Sequence, residues 1–262
     1  MEQAGTRLYT STQVKISCLT ITQLTRLHLL RRCLQSYRDQ TFPRASIELV
    51  LVHHDGSEGT RALKELLAAL QIEAAIISVR RAPLGELRNI SLEHATGDLL
   101  CQWDDDDFYH PDRLLLQSAP FADPDCIATS LDSQLFWFCN SGDLYVRRGG
   151  KEGIHGTVMF RNKLGLQYLP TMSRGEDSRF MQEVLGLGHR RVRRVDNHPE
   201  LFVRRYHGRN TWEFDHHYKQ ALQAFDVDWL RRNEAAIRNW LKVLDISEVR
   251  VRAPHEIAFT VH

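Results

Sequence analysis

Leu99-Leu100-Cys101-Gln102-Trp103-Asp104-Asp105-Asp106-Asp107-Phe108 is the stretch on which the reading of this chain turns. Its first half, Leu99 to Trp103, is short and mostly apolar and reads as a buried strand. Its second half is four adjacent carboxylates. At a strand end these repel one another, and folding them there is costly unless a cation binds among them. Magnesium or manganese does so through one or two carboxylates and takes its other ligands from water and phosphate oxygens. The plainer alternative is a solvated acidic loop, with His110-Pro111-Asp112-Arg113 opening a helix behind it. The strand in front favours the metal.

Outward from this run, the pattern alternates. Val14 to Thr22 predicts a strand, rich in Val, Ile and Thr. Leu24 to Arg38 predicts a helix with Leu27, Leu30 and Leu34 on one face. Ile47 to Val52 is a second strand. Asp55-Gly56-Ser57 is a turn in which Asp or Ser can cap the helix expected over Thr60 to Leu70. Ala74 to Val79 is a third strand, and Glu86 to Ala95 a helix closed by Gly97. Strands alternating with helices at this spacing give an α/β fold with a mainly parallel, Rossmann-like sheet flanked by helices. Such sheets bind ligands at the carboxyl ends of their strands, where Asp55 and Asp104 to Asp107 fall. Beyond Pro111 the regularity fades. Residues 121–150 are strand- and turn-like, Thr157 to Arg161 is a short strand, and Asp177 to Leu187 a helix ending at Gly188. The basic stretch around Arg190 to Arg194 reads as a solvated strand edge. Glu213 to Leu244 predicts one or two helices.

The 262 residues, 42% hydrophobic and 26% charged, suffice for a sizeable core and exclude a disordered class. A net charge of +1 argues against a dedicated nucleic-acid partner. The five cysteines lack CxxC spacing and are odd in number, which suits reduced thiols and a cytoplasmic setting. No apolar run approaches the roughly 18 residues that span a bilayer. A soluble chain is expected, with at most peripheral contact at the inner face of a membrane. The first thirteen residues read as a polar tail.

Several segments in order resemble family 2 glycosyltransferases with the GT-A fold. Val14-Lys15-Ile16-Ser17, Gln40-Thr41-Phe42-Pro43 and Val52-His53-His54-Asp55-Gly56-Ser57 are similar to that family's opening. Gly85 to Asn89 and Ala95-Thr96-Gly97-Asp98 resemble its next segment. Asp104-Asp105-Asp106 with Pro111-Asp112-Arg113-Leu114 resembles its DXD region, and Arg174-Gly175-Glu176-Asp177 its late acidic motif. The resemblance covers residues 14–211, divided near residue 111 into a nucleotide-binding and an acceptor half. Residues 212–262 would be a C-terminal helical extension.

By this resemblance Asp55 contacts the donor's base, with a uracil-like edge the first expectation, and Thr20, Thr22 and Arg88 lie at the nucleotide. Asp105 meets the ribose or diphosphate, and Asp106 binds Mn2+ or Mg2+. Asp177 is the catalytic base. His207 is a candidate third metal ligand, or Arg205 a phosphate contact. His155, Gly156 and Glu176 fall in the acceptor region. Two positions depart from the pattern: His54 stands where the family carries an acid, and Leu19-Thr20-Ile21-Thr22 lacks its proline.

The implied function is metal-dependent, inverting transfer of a sugar from a nucleotide-diphosphate donor, UDP-sugar first, to the hydroxyl of a saccharide or lipid-linked acceptor in bacterial-type polysaccharide or glycoconjugate synthesis. A metal near Asp106 would offset charge on the leaving diphosphate, and one carboxylate would take the acceptor's proton. Two alternatives stand beside it. A sugar-nucleotide nucleotidyltransferase would want a glycine-rich phosphate loop after the first strand, and Ser17 to Arg26 contains no glycine. A non-catalytic sugar- or polyanion-binding module would have no use for both Asp106 and Asp177.

Overall fold

The structure, a computed structural model, describes residues 14–262; the expected tail lies outside the described residues. In the first half, apolar residues alternate sides along each strand, and both sides are used. β1 (Ile16–Thr22), β2 (Ile47–His53), β3 (Ala75–Ser78) and β4 (Leu99–Gln102) run parallel. Ile16, Cys18, Leu49, Leu51, Leu99 and Cys101 face one way, onto α1 (Leu27–Arg38) and α2 (Gly56–Leu70). Leu19, Val50, Val52 and Leu100 face the other, towards α3 (Leu84–His94). Strands covered on both faces read as apolar runs, which is why Ile47 to Val52 is legible as a core strand.

Downstream come β5 (Phe108–Tyr109), α4 (Arg113–Ser118), β6 (Ala128–Leu131), β7 (Ser133–Phe138), β8 (Asp143–Arg148), β9 (Ile154–Arg161), α5 (Glu176–Gly186), β10 (Val192–Val195) and β11 (Phe202–Tyr206). The first sheet has the order β10-β6-β9-β4-β1-β2-β3, with β9 antiparallel to both β4 and β6. α5 packs Phe180, Met181 and Val184 on the same face as α3. β10, which carries Arg193 and Arg194, is an edge strand, and its arginines pair with Asp123 and Asp196 at the surface.

A second sheet has the order β13-β12-β8-β7-β11-β5. It contains β12 (Val249–Arg252) and β13 (Ile257–Val261), which follow α6 (Phe214–Ala221), α7 (Val227–Arg232) and α8 (Glu234–Val243). The segment after residue 212 is therefore not helical throughout: Val249-Arg250-Val251-Arg252 alternates with period two. Its valines enter the core and its arginines reach Asp143. Trp229 and Trp240 pack against this core. Among the described residues no helix is long and apolar enough to cross a membrane.

Two local expectations need correction. The second helix begins at Gly56, and Asp55 does not cap it; its Oδ2 accepts from the Leu24 N–H at 2.6 Å. Gly97 does not close α3, which ends in extended backbone at Ala95. Instead its N–H donates to Ser17 Oγ at 2.8 Å, and an added Cβ would lie 2.7 Å from the Ser17 nitrogen, so glycine is needed for close strand approach.

Candidate active site

β1, β2 and β4 end at the same rim of the first sheet, at Thr22, His53 and Gln102. A cavity of about 600 Å3 opens there, lined in part by Thr22, Arg26, Arg88, Asp104 to Asp107, Glu176 and Asp177. The acidic run is its centre, and each aspartate has a different partner.

Asp104 accepts from Arg88 Nη2 at 3.0 Å and from Gln102 Nε2 at 3.0 Å. Asp105, 2% exposed, accepts from Thr22 Oγ1 at 2.8 Å and pairs with Arg26 at 2.9 Å. Asp106 also pairs with Arg26; its Oδ2 lies 3.3 Å from His207 Nε2 and 3.4 Å from Asn210 Nδ2. Asp107 is structural, accepting the Arg205 N–H at 2.9 Å. Burial pushes Asp105 and Asp107 above the usual carboxylate range, reinforced by the negative charge of Asp106. Burial acts the same way on Asp106, but the hydrogen bond from His207 and the charge of Arg26 outweigh it and hold that carboxyl low.

Thr20 is buried, and its hydroxyl donates to the Trp103 carbonyl at 2.7 Å; it fastens the acidic run instead of lining the cavity. Arg88, 6% exposed, bridges Asp104 and Glu176, with Nε 3.0 Å from Glu176 Oε1. Glu176 is itself 4% exposed, and burial raises its carboxyl against the pull of Arg88. Asp177 stands one residue on, in the first turn of α5. Its Oδ1 accepts only the Ser178 N–H among the described residues, at 2.7 Å. A Cβ at Gly156 would lie 3.6 Å from Asp177 Oδ2, 3.6 Å from Gln102 Nε2 and 3.8 Å from Asp104 Oδ2, so these groups converge over that glycine. His155 Nδ1 is 3.0 Å from Ser178 Oγ. Asp55, held by Leu24, is outside the lining, whereas its neighbour His54 is within it.

Asp106 and His207 together offer a carboxylate oxygen and an imidazole nitrogen. Among the described residues no third His, Cys, Asp or Glu completes a ready ligand set. Two protein ligands suit Mg2+ or Mn2+, which draw the remainder from water and diphosphate. A cationic group, the Arg26 guanidinium, already sits against Asp105 and Asp106. The residues present therefore fit a divalent ion.

Residues 20–136 match the model of glycosyl transferase family 2. Over this stretch, a little under half of its length, the chain is similar to a family 2 glycosyltransferase domain. The stretch holds Asp55, Arg88 and the acidic run; Asp177 and His207 come from beyond it. EpsH of Bacillus subtilis (strain 168) is 30% identical over 83 residues, 32% of this chain and 24% of EpsH, so the chain spans about a quarter of that relative's length. TarS residues 1–349 of S. aureus, in complex with UDP-GlcNAc, superimposes with a TM-score of 0.59 at 13% identity, covering 87% of this chain and 79% of that 1–349 segment. The mannosyltransferase PcManGT of Pyrobaculum calidifontis, in complex with GDP-Man and Mn2+, gives 0.58 at 16% identity, covering 88% and 73%. Glucosyl-3-phosphoglycerate synthase of M. tuberculosis gives 0.54 at 14%, covering 90% and 82%. At these identities the likeness is one of fold, and the fold is GT-A.

The cavity recruits groups that sequence reasoning passed over. Arg26, just after β1, carried no motif. Gln102 precedes Asp104 by two residues, so strand period puts both on one side. Arg204 and His217 line the cavity from the second sheet and α6, and only the fold brings them there. Arg205, a candidate phosphate contact, is instead 9% exposed and donates to the Asp106 carbonyl at 2.5 Å, holding the acidic run from behind.

Proposed function

We propose that this chain is an inverting glycosyltransferase that moves a sugar from a nucleotide-diphosphate donor to an acceptor hydroxyl. The observation that carries the reading is one cavity holding both a cation-ready carboxylate, Asp106 beside His207, and a less engaged carboxylate, Asp177, over Gly156. Its volume suits a nucleotide-sized ligand. Asp106 and His207 would hold Mn2+ or Mg2+, which when bound supplies positive charge for the leaving diphosphate. The bond between the anomeric carbon and the diphosphate oxygen breaks as the acceptor oxygen bonds to that carbon. The acceptor's proton goes to Asp177, and the nucleoside diphosphate leaves with the bonding pair. One base and attack opposite the leaving group invert the anomeric configuration. Arg88 keeps Glu176 occupied and steadies Asp104, which orients the rim near Asp177.

TarS and PcManGT are described with UDP-GlcNAc and GDP-Man respectively, which supports a nucleotide-sugar donor here. A UDP-sugar remains the first reading, with Asp55 and the neighbouring His54 at the base and Thr22 and Asp105 nearer the ribose and diphosphate. The acceptor is a saccharide or lipid-linked sugar, met in the cytoplasm or at the inner face of the membrane. Calorimetry of nucleoside diphosphates in Mn2+ and in chelator tests the reading. UDP should bind in Mn2+ and at least tenfold more weakly in chelator, and Asp106→Ala should abolish the difference. Equal binding by the parent in both conditions would falsify the metal assignment.

A further inference from the structure

Beyond the cavity wall made by Arg204 and His217, one face of the second sheet carries a row of polar groups that the protein does not neutralise. Gln134 on β7 and Arg147 on β8 are register partners. Arg204 on β11 is paired with Phe136, two residues along β7 and therefore on the same face as Gln134. α6 covers this face, with the His217 ring 5.6 Å from Phe136 and 5.0 Å from Tyr206.

Gln134, Arg147 and His217 are buried and Arg204 half-buried, and all are short of partners. Gln134 is fully buried, and neither its Oε1 nor its Nε2 has a hydrogen-bond partner. His217 is 1% exposed, neither ring nitrogen has a side-chain partner, and burial with the Arg204 charge lowers the ring to about 3, so it is a neutral imidazole with one N–H to give. Arg147 is 8% exposed; its Nη2 reaches Gln223 Oε1 at 3.2 Å, and its Nε reaches nothing. Among the described residues neither Arg147 nor Arg204 has a carboxylate within ion-pair distance. Asp106 and Asp107 feel Arg204 through space, but they are engaged by Arg26, His207 and the Arg205 N–H. Burial and the nearby Arg204 charge lower Arg147 to about 10, the mark of two cations facing each other in a poorly solvated place. Unpartnered buried polar groups and charges are expensive. An entering anion would accept from the Arg204 guanidinium and from a His217 ring N–H, the two members of the set that line the cavity.

The position of this set decides which substrate brings the anion. It adjoins the Asp177 end of the cavity through α6: His216, next to His217, stacks on Trp212 at 4.4 Å, and the guanidinium of Arg174, three residues before Asp177, lies 5.5 Å from the Trp212 ring. Trp212 lines the cavity there, together with Arg174 and Asp177. The donor's diphosphate has its own cations, at Arg26 and at the Asp106 site.

We infer that Arg204 and His217, backed by Arg147 and Gln134, form an anion subsite that binds a phosphate or carboxylate group carried by the acceptor. The acceptor is then an anionic saccharide, free or lipid-linked, not a neutral sugar. This rests on the reading that the Asp177 end of the cavity receives the acceptor.

Calorimetry on the full chain, without nucleotide or metal, tests it with glucose 6-phosphate, glycerol 3-phosphate and glucuronate against glucose and glycerol. The anionic probes should bind at least about tenfold more tightly than their neutral counterparts, as charge-assisted hydrogen bonds warrant. Arg204→Gln should remove most of that difference, and Arg204→Lys should keep part of it; melting curves establish that both are folded. Equal binding of charged and neutral probes, or an unchanged affinity in folded Arg204→Gln, overturns the subsite. UDP, UDP-glucose and UDP-glucuronate are then added with Mn2+. Release of the bound anionic probe by UDP overturns the acceptor assignment in favour of the diphosphate, and release by UDP-glucuronate alone overturns it in favour of the donor sugar. UDP binding on the same samples keeps the two readings apart: UDP bound without anion preference sinks only the subsite, and anion preference without UDP binding sinks only the donor reading.

Discussion

Asp177 and Glu176 are adjacent carboxylates with opposite surroundings. Glu176 is buried and bonded to Arg88, whereas Asp177 accepts a single backbone N–H and looks across Gly156. A base needs a free lone pair within reach of the substrate. Asp177→Asn should therefore bind nucleotide and Mn2+ as the parent does yet transfer sugar about a hundred- to ten-thousand-fold more slowly, read by single-turnover kinetics; full activity there with a dead Glu176→Gln would move the role one residue back. Arg26 supplies a second expectation. Its guanidinium occupies the acidic pair that a divalent ion needs, so the two cations compete. Arg26→Ala should bind Mn2+ alone on the order of tenfold more tightly, measured by water-proton relaxation, and an unchanged affinity would show that no competition exists. The acidic run was legible because carboxylates clustered at a strand end carry their own electrostatic argument; Asp177 was singled out by the family resemblance, since an acid at a helix start is common on its own. Arg26, Arg204 and His217 were not, since an arginine after a strand or a histidine in a helix has no local pattern that separates a cavity wall from a solvated surface.

Among the elements, β1, β2 and the loop before β4 are stitched together by one side chain. Glu48 accepts from Ser17 Oγ at 2.5 Å and from the Thr96 N–H and hydroxyl at 2.6 Å each, and pairs with Lys15 at 2.5 Å. Burial would raise its carboxyl, but these donors outweigh it and hold it at about 2. The folded value lies below the ordinary value of about 4.3, so the ionised form is the stabilising one. Its contribution is complete at neutral pH and disappears as the pH falls from about 4 to 2. Glu48→Gln should cost about 1–3 kcal/mol near neutrality, and its melting temperature should converge on the parent's as pH approaches 2; a deficit independent of pH would mean that shape, not charge, is what matters. The parallel strands were readable because doubly covered strands are apolar runs bounded by turns. β12 and β13 were not taken from the sequence, although Val249-Arg250-Val251-Arg252 alternates cleanly. Four residues of alternation after a long helical stretch are a weak signal, and the partner strand that gives them meaning, β8, lies about a hundred residues away.

At the scale of the molecule, the second sheet was the illegible part. Its strands are interspersed among those of the first sheet or follow them, and no local pattern announces that Phe108–Tyr109 will pair with β11. That pairing has a mechanical consequence. Trp103–Asp107 leaves the first sheet at Gln102 and enters the second at Phe108, so the acidic run is a splice between two separately hydrogen-bonded plates. A splice anchored at both ends tolerates exchange of side chains far better than a change of length. One glycine inserted between Asp107 and Phe108 leaves every strand's composition intact, yet Asp106 must slip relative to His207, which is moored to the far plate through β11. Such an insertion should keep a cooperative melting transition while losing the Mn2+-dependent part of UDP binding, whereas the same insertion at the exposed Gly165, where nothing crowds the backbone, should lose neither. The length of the splice is thus set by the two plates it joins, whatever side chains it carries.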